Sequence, residues 1–132
     1  MNTPQVNPVA WFEIYVQDMA RAKAFYEAVL DTQLTHLPTP EGDWEGGLEM
    51  WAFPMAEEGS GAAGSLCKME GCASGGSGTL VYFKCDDCAV EAARAASHGG
   101  SLFKEKMAIG EHGFIALVFD SEGNMIGLHS MQ

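Results

Sequence analysis

Two similar series of apolar and polar positions run along this chain. From Val9 to Val16 (VAWFEIYV) the residues are mostly apolar, β-branched or aromatic, which reads as a strand. Asp18 then stands where a helix N-cap belongs. Beyond it Ala22, Phe25, Tyr26, Val29 and Leu30 recur at i, i+3, i+4, i+7 and i+8, the apolar stripe of a helix laid on a sheet. Gln33 to Leu37 reads as a short strand stopped by Pro38 and Pro40. The loop EGDWEGG leads to a strand over Leu48 to Phe53, ended by Pro54. The loop EEGSGAAG leads to another strand over Ser65 to Met69. The first series is therefore β-α-β-β-β.

A Gly/Ser-rich linker, residues 71–78, separates this series from the next. The pattern then restarts. Thr79 to Cys85 is a strand, Asp87 a cap, and Val90 to Ser97 an alanine-rich helix closed by Gly99 and Gly100. Strands follow over Leu102 to Lys106, Phe114 to Phe119 and Met125 to Ser130. Trp11 to Asp18 and Leu80 to Asp87 have equal length, and Leu66-Cys67 and Leu128-His129 end the two halves alike. The repeat predicts an α+β fold of two βαβββ modules, residues 8–70 and 79–131, within one domain spanning 1–132. Neither module buries much alone, so the two are expected to pair around a shared concavity.

Composition narrows the function. A chain of 132 residues, 47% of them apolar, suits one compact core. Residues 1–8 read as a polar arm. They lack the features of a signal peptide, and no apolar run would span a membrane, so a cytoplasmic protein with no membrane partner is expected. A formal charge of −11 opposes binding to a phosphate backbone, so no nucleic-acid partner is expected. Cys85 and Cys88 have CxxC spacing, with Cys67 and Cys72 upstream, but four residues separate the latter pair and no thioredoxin-like unit surrounds the former. The four read as mostly buried structural thiols. There is no GxGxxG after a strand, no P-loop and no GxSxG elbow.

Three segments, FEIYVQDMARAKAFYEAVL, VYFKCDDCAVEAARAASHGG and GFIALVFDSEGNMIGLHS, together resemble the vicinal oxygen chelate superfamily over about residues 8 to 130. That superfamily includes glyoxalase I, methylmalonyl-CoA epimerase, extradiol dioxygenases, and fosfomycin and bleomycin resistance proteins. The resemblance implies an eight-stranded open half-barrel and a homodimer. It also implies a metal held by His, Glu or Gln at fixed strand positions. Those positions correspond here to Trp11, Leu80, Gly127 and the strand around Gly64 to Leu66. Trp11, Leu80 and Gly127 offer no side-chain ligand to a divalent ion. A glyoxalase I or dioxygenase reaction, which relies on that metal, is therefore disfavoured, and neither a metal nor a cofactor is expected.

Strand alternation suggests what lines the concavity instead. If Trp11 faces inward, so do Glu13 and Tyr15. Leu80 brings Tyr82 and Lys84, and Gly127 brings Met125 and His129. Trp51 and Trp44 are further candidates for the wall, and the resemblance implies that the loop carrying Glu111 and His112 borders it. His36 and His98 read as surface residues. Glu13 stands in an otherwise apolar strand, where burial raises a carboxyl pKa and suits it to acid or base work. His129 is expected to pair with it or to act itself, and Tyr82 to donate a hydrogen bond to a substrate oxygen. Glu13, His129 and Tyr82 are thus the candidate catalytic residues. The expected function is binding of a small, mostly apolar molecule in the concavity. If the protein is an enzyme, the step expected there is a metal-independent lyase, isomerase or epimerase reaction using Glu13 with His129 for proton transfer. The alternative is a non-catalytic sequestering protein of the bleomycin-resistance type.

Overall fold

A computed structural model of the chain describes residues 7–39 and 47–132. Trp44 and the loop around it lie outside the described residues. The described elements follow the order expected from the two series. The first module comprises β1 (Val9–Tyr15), α1 (Met19–Leu30), β2 (Thr35–Leu37), β3 (Leu48–Ala52) and β4 (Ala63–Met69). The second comprises β5 (Thr79–Lys84), α2 (Cys88–Ser97), β6 (Ser101–Ala108), β7 (Phe114–Phe119) and β8 (Met125–Ser130). No helix among the described residues is long and apolar enough to cross a membrane.

All eight strands form one open mixed sheet in the order β2-β3-β4-β1-β5-β8-β7-β6. Each module contributes four neighbouring strands. Within each, the first and last strands run parallel, β1 with β4 and β5 with β8. The modules meet where β1 pairs antiparallel with β5. Phe12 lies opposite Val81 there, and the same offset relates these two residues as relates Asp18 to Asp87. The repeat is therefore a pseudo-twofold axis passing between Phe12 and Val81.

Both helices start as the sequence suggests. The Asp18 carboxylate accepts the Arg21 N–H, and the Asp87 carboxylate accepts the Ala89 N–H. This satisfies donors that a helix start leaves open. α2 begins two residues before the expected Val90, because Cys88 is its first inward position: Cys88 and Ala92 are buried, with Ala95 packed beside them. α1 departs from expectation. Met19 is its buried residue, and Ala22 and Tyr26 pack with it over Leu34 and Leu66. Phe25, Val29 and Leu30 are exposed. The contacting line is i, i+3, i+7, and the rest of the broad apolar stripe turns away from the sheet.

Two local features lengthen the pairing at the centre of the sheet. β4 starts at Ala63 because Gly64, opposite Phe12, has no side chain to obstruct the Phe12 ring resting on it. Pro8, read as part of the arm, accepts the Lys84 N–H and so prolongs the β1–β5 ladder. Leu66, Cys67, Cys88, Ala116 and Val118 are almost wholly buried. The core consequently lies in two layers between the sheet and the helices, with a third cluster on the sheet's concave face around Leu80, Tyr82, Ile109 and Ile115.

Candidate functional site

The concave face holds a cavity of about 370 Å³ that draws on both modules. β1 supplies Trp11, Glu13 and Tyr15, and β5 supplies Tyr82. β3 supplies Leu48 and Met50, β7 Ile115, and β8 His129. The loop after β6 closes one side with Ile109, Glu111 and His112, while Met55 and Met131 stand at the mouth.

Glu13 is the centre of the polar chemistry. It is only 8% exposed. Tyr15 donates its hydroxyl to Glu13 Oε1 at 2.9 Å, and Tyr82 donates to the same oxygen at 3.2 Å. Burial dominates the acidity of this carboxyl and raises its pKa above the ordinary 4.5. The two tyrosines, and more weakly the Trp11 indole, oppose that rise by hydrogen bonding. The phenols of Tyr15 and Tyr82 are themselves pushed up, first by burial and then by the neighbouring carboxylate. The Cys67 thiol on β4, which pairs with Tyr15 across the ladder, is raised for the same two reasons and is not a reactive thiolate.

His129 reaches the same cavity but does not pair with Glu13. Its Nε2 lies 2.6 Å from the carbonyl oxygen of His112. A carbonyl only accepts, so Nε2 carries a proton and donates it. That bond ties β8 to the short 3₁₀ turn Gly110–His112. Glu111 and His112 are exposed on this turn, with the His112 Nε2 and a Glu111 carboxyl oxygen 3.9 Å apart. They border the mouth, as a solvated turn would.

Strand alternation thus places Trp11, Glu13, Tyr15, Tyr82 and His129 together, and the loop expected at the border brings Glu111 beside them. It misplaces others. Trp51 faces the opposite side of the sheet, packing with Met19, Leu34 and Leu66. Lys23 lies 3.5 Å above its ring. Its neighbour Met50 takes the inward position: Glu49 shares the Trp51 face of β3 and accepts the Trp51 indole N–H, while Leu48, Met50 and Ala52 form the wholly apolar face. Leu80 and Met125 are packed into the concave-face cluster rather than lining the cavity. Lys84 is exposed and does not line the cavity. Gly127 is buried against the Tyr82 ring. Ala10 lines the cavity despite its parity, because the β1–β5 register shifts between Val9 and Trp11. Nothing in the sequence singles out Ile115; it reaches the cavity because it pairs with His129 across the β7–β8 ladder.

The donor set does not fit a divalent metal. Trp11 and Leu80 carry no ligand atom and Gly127 no side chain. The β4 position opposite Glu13 is Ser65, a buried hydroxyl engaged with Cys67 Sγ at 3.3 Å. Among the described residues no three His, Cys, Asp or Glu side chains gather as a metal site would require.

Comparison with known proteins agrees with this architecture. Solved structures of the same fold include methylmalonyl-CoA epimerase from Mycobacterium tuberculosis, with a TM-score of 0.67, 21% identity, and coverage of 100% of this chain and 93% of that one. The Streptomyces coelicolor methylmalonyl-CoA epimerase in complex with 2-nitronate-propionyl-CoA has a TM-score of 0.64 at 18% identity, covering 96% and 98%. A hypothetical protein from Bacillus halodurans C-125 has a TM-score of 0.65 at 12% identity, covering 94% of each chain. No curated protein matches the chain in sequence. At these identities the structures share a fold. The family model for the Glyoxalase/Bleomycin resistance protein/Dioxygenase superfamily matches residues 8–128, nearly the whole repeat. With its two βαβββ modules and shared concavity, this chain belongs to that superfamily.

Proposed function

We propose that the protein binds a small, largely apolar molecule in the concavity and transfers a proton to or from one of its carbon atoms through Glu13. The reaction class is an isomerase, epimerase or lyase step without a metal. The observation that carries this reading is a buried carboxyl of raised pKa in the wall of an otherwise mostly apolar cavity. A base of raised pKa is better matched to a weak carbon acid than an exposed glutamate is. Ionised Glu13 removes a proton from carbon beside a carbonyl, and the electron pair moves onto the carbonyl oxygen. Once protonated, Glu13 Oε1 is a weaker acceptor, which frees the Tyr15 and Tyr82 hydroxyls to donate to that oxygen. Return of the proton to the opposite face of that carbon, after the planar enolate has turned over in the cavity, completes an epimerisation, whereas return to the original face gives exchange alone.

The solved epimerases support the reaction class, since they share the fold, but they do not carry the substrate. Among the described residues the lining includes Glu13 and Glu111 but neither lysine nor arginine, so a neutral or cationic ligand suits it better than a polyanionic thioester. We also include a homodimer in this reading, supported by the exposed Phe25, Val29 and Leu30 on α1 and checked by light scattering.

The test is exchange in D2O with a panel of small neutral carbonyl compounds, following deuterium at carbon by NMR. The native protein should exchange at least one of them, and Glu13→Gln should slow it about 10²–10⁴-fold, the usual weight of a general base. Binding of the same compound should change little. Undiminished exchange in the variant removes Glu13 from the role. The second reading, sequestration, is favoured by the dominance of apolar side chains in the lining. It is supported instead if compounds bind the native protein without any exchange.

A further inference from the structure

We propose that Gly127 is a positioning residue: its missing side chain leaves the place in which Tyr82 lies across β8, and that seat is what brings the Tyr82 hydroxyl onto Glu13. Its importance for catalysis rests on Glu13 acting as the proton-transfer group, while the seat itself does not.

Tyr82 and Gly127 are directly paired on the parallel strands β5 and β8. A Cβ at residue 127 would fall under 3.0 Å from three atoms of the Tyr82 ring, including Cγ at 2.7 Å. Cγ is joined to the Tyr82 Cβ, so tilting the far end of the ring gives no relief. The side chain has to rotate about χ1, and staggered wells are about 120° apart. Such a rotation carries the hydroxyl away from the oxygen it meets at 3.2 Å. Backbone strain does not explain the glycine, because Gly127 is not among the glycines with positive φ. What a side chain at residue 127 would meet is the ring. The seat also gives a steric account of the mismatch with a metal. Any ligand-bearing side chain at residue 127 would compete with Tyr82 for one space, so Tyr82 on Glu13 and a β8 metal ligand exclude each other.

Several titratable groups surround Glu13: Tyr15 on β1, Tyr82 on β5, Cys67 on β4 with Cys72 beyond it, and Glu111, His112 and His129 along the cavity. Of these, Tyr82 is the one a side chain at residue 127 would displace.

The experiment follows the Glu13 carboxyl by NMR in protein labelled with 13C-glutamate, its signal assigned by its loss in Glu13→Gln. Tyr82→Phe keeps the ring and removes one hydrogen bond that favours the ionised carboxyl, so the Glu13 midpoint should move up. Gly127→Ala should move it up by the same amount, and the double variant Gly127→Ala/Tyr82→Phe no further. A Gly127→Ala midpoint equal to that of the native protein overturns the proposal, as does a shift that adds to that of Tyr82→Phe. If Gly127→Ala does not fold, Gly127→Ala/Tyr82→Ala should fold, since the obstructing ring is gone. Failure of that rescue also overturns it. Persistent exchange activity in Glu13→Gln would remove the catalytic reading and leave these titrations standing.

Discussion

Burying Glu13 ties its proton affinity to the stability of the fold. Its pKa is raised in the native state, first by burial, against the lesser pull of Tyr15, Tyr82 and Trp11. Between the ordinary 4.5 and the higher native value, the folded chain therefore holds more protons than the unfolded one. The stabilising contribution is complete below 4.5 and is lost as pH rises through that window. Glu13→Gln has no proton to lose and should show no such decline. Denaturant titrations of both proteins across this range should find the variant gaining on the native protein as pH rises. Parallel curves would mean that Glu13 is not desolvated as described. The catalytic reading has the opposite sign, since exchange requires the ionised base and should increase over the same window. The residue was legible in sequence as a lone carboxyl within WFEIYV. Its partners were legible only in part: Tyr82 by alternation, but not Tyr15 as a donor. His129 was expected to pair with it and is instead held by the His112 carbonyl, because no strand pattern reveals where a loop will present a carbonyl.

At the scale of elements, local chemistry and tertiary packing had different visibility. Asp18 and Asp87 announce the helix starts because an N-cap works through backbone N–H groups only a few residues away. Which side of a helix or strand meets the core depends on elements distant in sequence. This is why the α1 stripe was read too broadly. Trp51 reads as a candidate for the wall, although Glu49, two residues before it, marks that face of β3 as partly solvated. α1 buries little besides Met19, so its start should depend on its cap more than that of α2. Asp87 also receives Lys106 Nζ at 2.8 Å, and that lysine reaches the carbonyl of Gln132. α2 is thereby tied to β6 and the chain end, whereas the Asp18 carboxylate has the Arg21 N–H as its described partner. Asp18→Ala should cost about 1 kcal/mol in chemical denaturation, with faster amide exchange confined to the first turn of α1. A loss within error, with unchanged exchange there, would mean that packing rather than the cap fixes that helix start.

At the scale of the whole molecule, the fold was legible because it is a repeat. Two loosely patterned series, each ambiguous alone, became informative once Trp11 to Asp18 and Leu80 to Asp87 matched in length. The site was less legible because it lies between the copies. Leu48 and Met50 reach it from β3, Ile109 from a loop, and Ala10 through a register shift, and no periodicity within one module reports on the other. The same geometry makes the halves dependent on each other. Glu13 is covered from its own strand by Tyr15 and from the other module by Tyr82, and the two modules join through the β1–β5 ladder. A separated module would expose that ladder and the concave cluster, with roughly half the chain left to supply a core, too little for ready independent stability. The connection between β4 and β5 contains no strand or helix, and residues 73–78 are exposed to solvent apart from buried Gly78. A protease site engineered at Ser74-Gly75 should therefore be cut without separating the halves. The nicked protein should keep its circular dichroism and unfold in one transition, at lower stability and with a new dependence on protein concentration. Two resolved transitions, or stable folding of either purified fragment, would show that the modules are independent units and that the cavity between them is an assembly of two finished folds.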